Sequence, residues 1–437
     1  MEGGRLAESL PASVRACLDR RKQLRECPPR ELAAWAVAAH AATEAALQGW
    51  AHFDRQALAA APGAAGPLAG IPVGVKDVID VAGLPTRAGS RSRAGAAPAA
   101  GDAEAVRRLR AQGALICGKT ATTEFAYLDP SPATNPFNAA HTPGGSSSGS
   151  AAVVGAGVVP LALGTQTAGS VCRPAAWCGT YAFKPSTGRT PRPGVEPFAP
   201  SFDTVGVFGL DLPLVVRAAL AIVGDAAPSA GEDGEAGSGL SIAWLEDAYF
   251  TDISPDCKAQ VNRALALLRA AGCRVRPVRT GLDFEHLRNV HRSVMQFEAH
   301  AHHGHLLDTQ AGLLGANWRG ALQAGAKVDA AQAAAALREL DAACRRIEAA
   351  VGEADLVLGS PVRTEAPAGI GSTGDAGLII PWTYAGTPLA VLPTGLTPAG
   401  LPLAVMLAGR RGQDARAARD ALAVSRILRD GALRIDA

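Results

Sequence analysis

Short apolar runs alternate with helix-period segments along most of this chain, and that alternation constrains the fold more than any other feature. A β-branched run punctuated by glycine and proline ends at Lys76, and helical periodicity follows over residues 103–112. The same two signals return in longer units after Gly209, and a helix over residues 412–429 closes the chain. Strands that alternate with helices are typical of layered α/β folds. We therefore predict an α/β fold.

The first 60 residues have a different pattern, because apolar positions recur there at helical spacing without intervening strand signals. Pro28 and Pro29 separate two such amphipathic segments. The sequence therefore predicts an N-terminal helical arm over residues 1–60 and one compact α/β domain over residues 61–437. The acidic, glycine-rich stretch 224–239 is predicted to be a surface insertion rather than a domain boundary.

Composition excludes several classes of protein. The 42 Lys and Arg residues nearly balance the 40 Asp and Glu residues, so the chain lacks the broad positive field that direct nucleic-acid binding needs. The longest apolar stretch, residues 151–164, contains glycine and proline and is shorter than the roughly 18–20 residues that span a bilayer. Glu2, Arg5 and Glu8 do not match a secretory signal. Eight cysteines without a CxxC pair favour reduced thiols in a cytoplasmic protein.

Two glycine-hinged loops carry most of the candidate chemistry. Residues 142–150 read Thr-Pro-Gly-Gly-Ser-Ser-Ser-Gly-Ser, and residues 164–170 read Gly-Thr-Gln-Thr-Ala-Gly-Ser. The apolar segment 151–163 separates them, and its small residues predict a helix close to neighbouring backbone. Because glycine permits unusual backbone conformations, the two loops can bring serine hydroxyls and backbone N–H groups to one point.

A serine nucleophile needs a base to take its proton, and the sequence offers several candidates. The string Gly-Ser-Ser-Ser-Gly at 145–149 matches the nucleophile elbow of α/β-hydrolases, with Ser147 as nucleophile, but no apolar strand precedes it. His141 lies between prolines and is predicted to be a turn residue. The cluster of His300, His302, His303 and His305 lacks a recognised metal-binding spacing, and we predict that it lies on a solvated or groove-lining helix face.

Lys76 is the remaining candidate base. Burial disfavours an ammonium, so a lysine in a poorly solvated site can lose its proton near neutral pH. On residue type alone, a lysine is more often a surface residue.

Three segments together resemble the amidase signature family. They are Gly-Ile-Pro-Val-Gly-Val-Lys-Asp at 70–77, the Gly-Gly-Ser-Ser-Ser-Gly-Ser run from Gly144, and the stretch from Leu163 through Gly179 to Lys184-Pro185. Ser146 and Ser170 are 24 residues apart, which is similar to the spacing of the two catalytic serines in that family. The resemblance extends from about residue 60 to the end of the chain. It implies the amidase signature fold, a large mixed β-sheet covered by helices on both faces.

The resemblance also implies a mechanism. Ser170 would attack the amide carbonyl, Ser146 would relay the proton after a cis peptide bond that Gly145 accommodates, and Lys76 would be the neutral general base. Ser147 and Thr165 would either support this assembly or only cap turns. No metal or other cofactor is implied. The oxyanion hole would be formed by the backbone N–H groups of Thr167, Ala168, Gly169 and Ser170.

The chain departs from the commonest family pattern near the nucleophile. Gln166 and Ala168 stand where many members carry Asp and Gly, and the arginine is displaced to Arg173. This variant is similar to malonamidase-like hydrolases of small amides. Arg173 would then hold a substrate carboxylate, although an internal salt bridge is an open alternative. Trp177 and Phe202 are candidates for the pocket or for the core.

We therefore predict a cytoplasmic amidohydrolase that cleaves a small-molecule amide, such as malonamate, through an acyl-enzyme and releases ammonia. Two alternatives remain open at this point: an ammonia-generating subunit of a tRNA-dependent amidotransferase, and a catalytically silent binding module. The sequence predicts no membrane contact and leaves a homodimer open. It does not determine the amide substrate.

Overall fold

One mixed sheet of eleven strands runs through the computed structural model, which describes residues 10–59, 65–227 and 239–435. Most of the acidic stretch predicted as a surface insertion, residues 228–238, lies outside the described ranges. The strands are β1 (Trp50–Phe53), β2 (Pro72–Lys76), β3 (Leu115–Thr120), β4 (Leu161–Gln166), β5 (Tyr181–Lys184), β6 (Thr204–Gly209), β7 (Ser241–Leu245), β8 (Arg274–Val278), β9 (Leu356–Gly359), β10 (Leu389–Leu396) and β11 (Pro402–Ala408).

The strand order is β1-β3-β2-β4-β6-β5-β10-β11-β9-β7-β8. β2 is parallel to both of its neighbours: Val73 pairs with Ile116 of β3 and with Leu161 of β4. All five residues of β2 are buried, as expected for a strand that is covered on both faces. Antiparallel pairing of β4 with β6 and of β10 with β11 completes the mixed sheet. The predicted α/β fold with a large mixed sheet is confirmed.

Helices pack around this sheet. They are α1 (Ala12–Glu26), α2 (Leu32–Leu47), α3 (Arg55–Ala59), α4 (Glu104–Ala111), α5 (Ser148–Gly155), α6 (Cys172–Trp177), α7 (Leu212–Val223), α8 (Ala248–Thr251), α9 (Pro255–Ala270), α10 (Phe284–His303), α11 (His305–Thr309), α12 (Ala316–Gly325), α13 (Ala330–Val351), α14 (Ile380–Tyr384) and α15 (Asp414–Asp430). Within the described ranges, every helix is too short or too polar to cross a bilayer.

The apolar segment 151–163 differs from its prediction. It contains the end of α5 and the start of β4 rather than one helix. Gly157 adopts a positive φ of 72°, which ends the helix, and Pro160 precedes the strand. A continuous apolar run does not distinguish a buried helix from a buried strand, and here it contains both.

The N-terminal segment forms the two predicted helices and also contributes an unpredicted strand, β1, to the sheet. Arg21 of α1 is fully buried and donates to Gly179 O at 2.7 Å. Trp35 of α2 donates to Gly157 O at 2.9 Å. These bonds attach the arm to the segments on either side of the second glycine-rich loop. The division of the chain at residue 60 stays a prediction.

Candidate active site

Lys76 lies at the carboxyl end of β2, in the middle of the sheet, and is fully buried. Its Nζ is 2.7 Å from Ser146 Oγ, 2.8 Å from Thr165 Oγ1 and 3.4 Å from Thr165 O. Thr165 is on β4, the parallel neighbour of β2. Strand pairing and the first glycine-rich loop therefore bring three of the predicted site residues together.

The surroundings of Lys76 favour its neutral form. Burial lowers the pKa of the amine well below its ordinary value, Asp203 opposes the shift, and the charge of Arg173 adds to it. A neutral amine has two N–H groups and one lone pair. The two Thr165 oxygens can accept the N–H groups, which leaves the lone pair to accept the proton of the Ser146 hydroxyl. The contacts therefore suit a base that acts through Ser146.

Ser146 lies in the loop that leads into α5, directly after a cis peptide bond between Gly145 and Ser146. Ser147 ties this loop to β4, because its Oγ donates to Thr165 O at 3.2 Å and accepts from Thr165 N at 3.3 Å. The loop also packs closely at Gly149, where a Cβ atom would lie 2.3 Å from a backbone oxygen. Glycine is therefore required there for the approach of two backbone segments.

Ser147 does not have the surroundings of an elbow nucleophile. Its hydroxyl is fully buried and contacts the backbone of Thr165 rather than a histidine. Two of the candidate histidines have other partners: His141 Nδ1 is 2.7 Å from Ala366 O in a loop, and His303 Nε2 is 2.6 Å from Pro197 O. His300 is half-buried, and its Nδ1 has no hydrogen-bond partner among the described residues. His302 and His305 are exposed.

Ser170 follows β4 and lines a cavity of about 300 Å³. It is 7% exposed, and its hydroxyl has no hydrogen-bond partner among the described residues. The backbone N–H groups of residues 167–170 likewise donate to no acceptor in the described part of the chain. Four consecutive free N–H groups are rare in a buried loop. These four N–H groups can therefore donate hydrogen bonds to a ligand atom beside Ser170.

Gln166 fixes the far end of the same loop. Its Oε1 accepts from Val171 N at 2.9 Å and from Cys172 N at 3.0 Å, where α6 begins. Its Nε2 donates to Thr383 Oγ1 at 3.0 Å. A carboxylate in this position can accept the two backbone protons but cannot donate to Thr383. The amide of Gln166 therefore supplies a hydrogen bond to α14 that a carboxylate could not donate.

Arg173, on α6, does not form the internal salt bridge that the sequence left open. Its terminal nitrogens donate to Gly374 O at 2.8 Å and to Gly145 O at 2.6 Å, and its Nε–H is buried without a partner. No carboxylate of the described residues lies within ion-pair distance of it. A guanidinium has five N–H groups, so three remain available. Burial lowers the pKa of Arg173 to about 10, and the side chain lines the cavity.

Two further arginines line the cavity, both from α10. Arg288 forms an ion pair with Asp375 at 2.8 Å. Arg292 has no ion-pair partner among the described residues. Trp177 and Phe202 are buried and are not among the described residues that line the cavity. The cavity wall is therefore cationic near Ser170.

Three residues of this site were not identified in the sequence. Asp203 accepts from Thr167 Oγ1 at 2.6 Å, His291 Nε2 contacts Thr167 O at 3.1 Å, and Thr383 donates to Ala168 O at 2.5 Å. They come from the loop before β6, from α10 and from α14. No local motif marks them, because each acts on the loop at residues 167–170 from a distant part of the chain. Within the described ranges, no three His, Cys, Asp or Glu side chains converge as a metal site would require.

The chain is similar in sequence to a family of known proteins. A family model described as Amidase matches residues 30–417. A glutamyl-tRNA(Gln) amidotransferase subunit from Symbiobacterium thermophilum is 40% identical over 227 residues, which cover 48% of this chain and 46% of that protein. The chain thus spans about half the length of the curated relatives that it matches.

Solved structures resemble the chain over nearly its full length. A crystal structure of an amidase has a TM-score of 0.82 and 27% sequence identity, covering 95% of this chain and 99% of the other. The corresponding glutamyl-tRNA(Gln) amidotransferase subunit from Thermotoga maritima has a TM-score of 0.76 and 25% identity, covering 91% and 92% of the two chains.

Proposed function

The chain belongs to the amidase family, and we propose that it hydrolyses the carboxamide of a small molecule through an acyl-enzyme on Ser170 and releases ammonia. Lys76 is the general base, Ser146 is the relay, and the backbone N–H groups of residues 167–170 form the oxyanion hole. The observation that carries the proposal is the fully buried Lys76, whose Nζ is 2.7 Å from Ser146 Oγ.

In the first half of the reaction, Ser170 Oγ attacks the carbonyl carbon of the amide. Its proton passes to Ser146 Oγ while the Ser146 proton passes to Lys76 Nζ. The carbonyl oxygen becomes an oxyanion, which the free N–H groups of the loop stabilise. The C–N bond then breaks as the proton returns through Ser146 to the leaving nitrogen. Ammonia departs, and the acyl group remains esterified to Ser170.

In the second half, water attacks the ester carbonyl. The same relay carries its proton to Lys76 and then returns a proton to Ser170 Oγ, so that the carboxylic acid is released and the free serine is restored. Each group is used in both directions, as general acid–base catalysis requires.

This chemistry suits two physiological settings. The first is an ammonia-generating subunit of an amidotransferase, which the curated relatives favour. Relatives of that description align at 40% and 47% identity over parts of the chain. The second setting is a free hydrolase of a small amide, for which the similarity to a solved amidase over 95% of the chain is the support. Malonamate remains a candidate substrate in that setting.

A single experiment separates the two. Ammonia release is measured with the purified chain alone, using glutamine, malonamate and neutral amides, and is repeated with the other subunits of a tRNA-dependent amidotransferase. Ammonia release from glutamine that requires those subunits supports the first setting. Rapid release by the chain alone from malonamate or a neutral amide supports the second, and no release under either condition contradicts the proposed activity.

Arg173 is a buried cation with unused N–H groups beside Ser170, and we propose that it binds a carboxylate of the substrate. We expect Arg173→Met to reduce kcat/KM on malonamate about 10- to 100-fold more than on propionamide, since a hydrogen bond to a charged group contributes roughly 1.5–3 kcal/mol. The ratio of the two losses is the measurement, because any disturbance of the loops at Gly145 and Gly374 affects both substrates. Equal losses would contradict a role in carboxylate binding.

A further inference from the structure

The free N–H groups at residues 167–170 stabilise an oxyanion only if they point toward it. Donors that must turn during the reaction lose much of their effect, because preorganisation is the source of that stabilisation. Other residues must therefore hold the peptide groups of residues 167–170 in one orientation.

A peptide unit is planar and trans, so its C=O and N–H groups point in opposite directions. Fixing the carbonyl of one residue therefore fixes the direction of the N–H group of the next residue. The N–H of Ala168 is set by the carbonyl of Thr167, and the N–H of Gly169 is set by the carbonyl of Ala168. Both carbonyls have side-chain donors in this structure.

His291 holds the first carbonyl. Its Nε2 is 3.1 Å from Thr167 O, the residue is fully buried, and its ring centroid is 4.4 Å from that of Phe202. Burial lowers the pKa of His291 to about 3, so the ring is neutral. Since a carbonyl only accepts, Nε2 carries the proton. Asp203 holds the side chain of the same threonine through the 2.6 Å bond to Thr167 Oγ1.

Thr383 holds the second carbonyl. Its Oγ1 donates to Ala168 O at 2.5 Å and accepts from Gln166 Nε2 at 3.0 Å. Gln166 is bonded in turn to the backbone at the start of α6. Thr383 is 1% exposed, so water does not compete for these bonds.

We propose that His291 and Thr383 are positioning residues that aim the N–H groups of Ala168 and Gly169 at the developing oxyanion. Neither residue hydrogen-bonds Lys76, Ser146 or Ser170, and Thr383 is not among the described residues that line the cavity, whereas His291 is. The inference rests on the proposed amide hydrolysis, because an oxyanion forms only if Ser170 attacks a carbonyl.

Thr383 offers a test with a matched rescue and a matched control. Thr383→Val removes the hydroxyl at nearly constant volume, and Thr383→Ser keeps it. Removing an oxyanion-hole donor costs about 10²–10³ in kcat, so misaiming one donor should lower kcat roughly 10- to 100-fold in the valine variant with little change in KM. The serine variant should recover most of the rate. The control is Thr180→Val, because Thr180 is equally buried and its hydroxyl has no partner among the described residues.

The same comparison at His291 provides an independent test. Glutamine can place an N–H donor near the position of Nε2, whereas leucine cannot, so His291→Gln should be faster than His291→Leu by roughly tenfold or more. Steady-state kcat is expressed per Ser170 that can be acylated, so that it does not depend on the folded fraction of a sample. If the variants at one of the two positions do not fold, the variants at the other position still test the inference.

The outcomes are distinct. A fall in kcat without a change in KM, reversed by Ser or Gln, supports the inference. Wild-type kcat in Thr383→Val and His291→Leu overturns it, as does a rise in KM with unchanged kcat. If the wild-type protein itself does not acylate Ser170, the proposed function has failed instead.

Discussion

The Ser170→Ala variant should release ammonia at least about 10⁴ times more slowly than the wild-type protein, because removing the nucleophile of a serine hydrolase abolishes the covalent route. The fold should be retained, since the Ser170 hydroxyl has no hydrogen-bond partner among the described residues. The measurement is steady-state ammonia release with the best amide substrate, together with thermal unfolding of both proteins.

Ser150→Ala is a matched control for that experiment. Ser150 is a buried serine on α5, and its hydroxyl contacts Thr120 Oγ1 and Leu163 O rather than the relay. This variant should keep most of its activity even if it loses some stability. Wild-type activity in Ser170→Ala would contradict the assignment of the nucleophile.

Replacement of Lys76 should have the second largest effect. Lys76→Met removes the proposed base while keeping an apolar chain of similar length, and we expect a loss of about 10²–10⁴ in kcat, the usual contribution of general acid–base catalysis. Lys76→Arg should be at least as inactive, because a guanidinium does not lose its proton in proteins. Ammonia release at fixed pH measures both losses.

The pH dependence gives a second readout for Lys76. The neutral amine is the active form, so kcat/KM of the wild-type protein should fall as pH decreases through the pKa of Lys76. Because burial lowers that pKa well below its ordinary value, the decrease should occur well below pH 10.5. This decrease in kcat/KM should be absent from the residual activity of Lys76→Met. An unchanged profile in that variant, or an active Lys76→Arg, would exclude Lys76 as the base.

The sequence contained enough information for the fold class and for the residues that the two glycine-rich loops and β2 supply. Lys76, Ser146 and Ser170 lie within three compact motifs, and parallel pairing of β2 with β4 brings Lys76 beside the loops. The alternation of helix and strand signals predicted after Gly209 is also present in the structure between residues 212 and 278.

The strands β10 and β11 were not predicted from the sequence. Pro393 and Gly395 interrupt the apolar pattern of β10, and the register of the pair shifts between them. Proline and glycine weaken a strand assignment made from sequence, although the pairing partner can compensate for both in the folded protein.

The proposed positioning residues could not be predicted for a different reason. His291 and Thr383 act on main-chain carbonyls, and a carbonyl accepts a hydrogen bond from any suitably placed donor. No residue pattern in the loop at 167–170 therefore specifies a histidine on α10 or a threonine on α14. Arg173 was predicted as a site residue, but its two backbone partners were not, because its terminal nitrogens bind main-chain carbonyls rather than the protein carboxylate of an internal salt bridge.

The central claim is that an acyl group from the substrate resides on Ser170 during turnover. The most direct measurement is acid quenching of the wild-type protein during turnover of its best amide substrate, followed by mass spectrometry of the peptides. Our account predicts that the peptide containing Ser170 gains the mass of the acyl group, and that hydroxylamine converts this group to a hydroxamate. Ammonia release without an acylated peptide or a hydroxamate, or acylation of Ser146 or Ser147 instead, would contradict it.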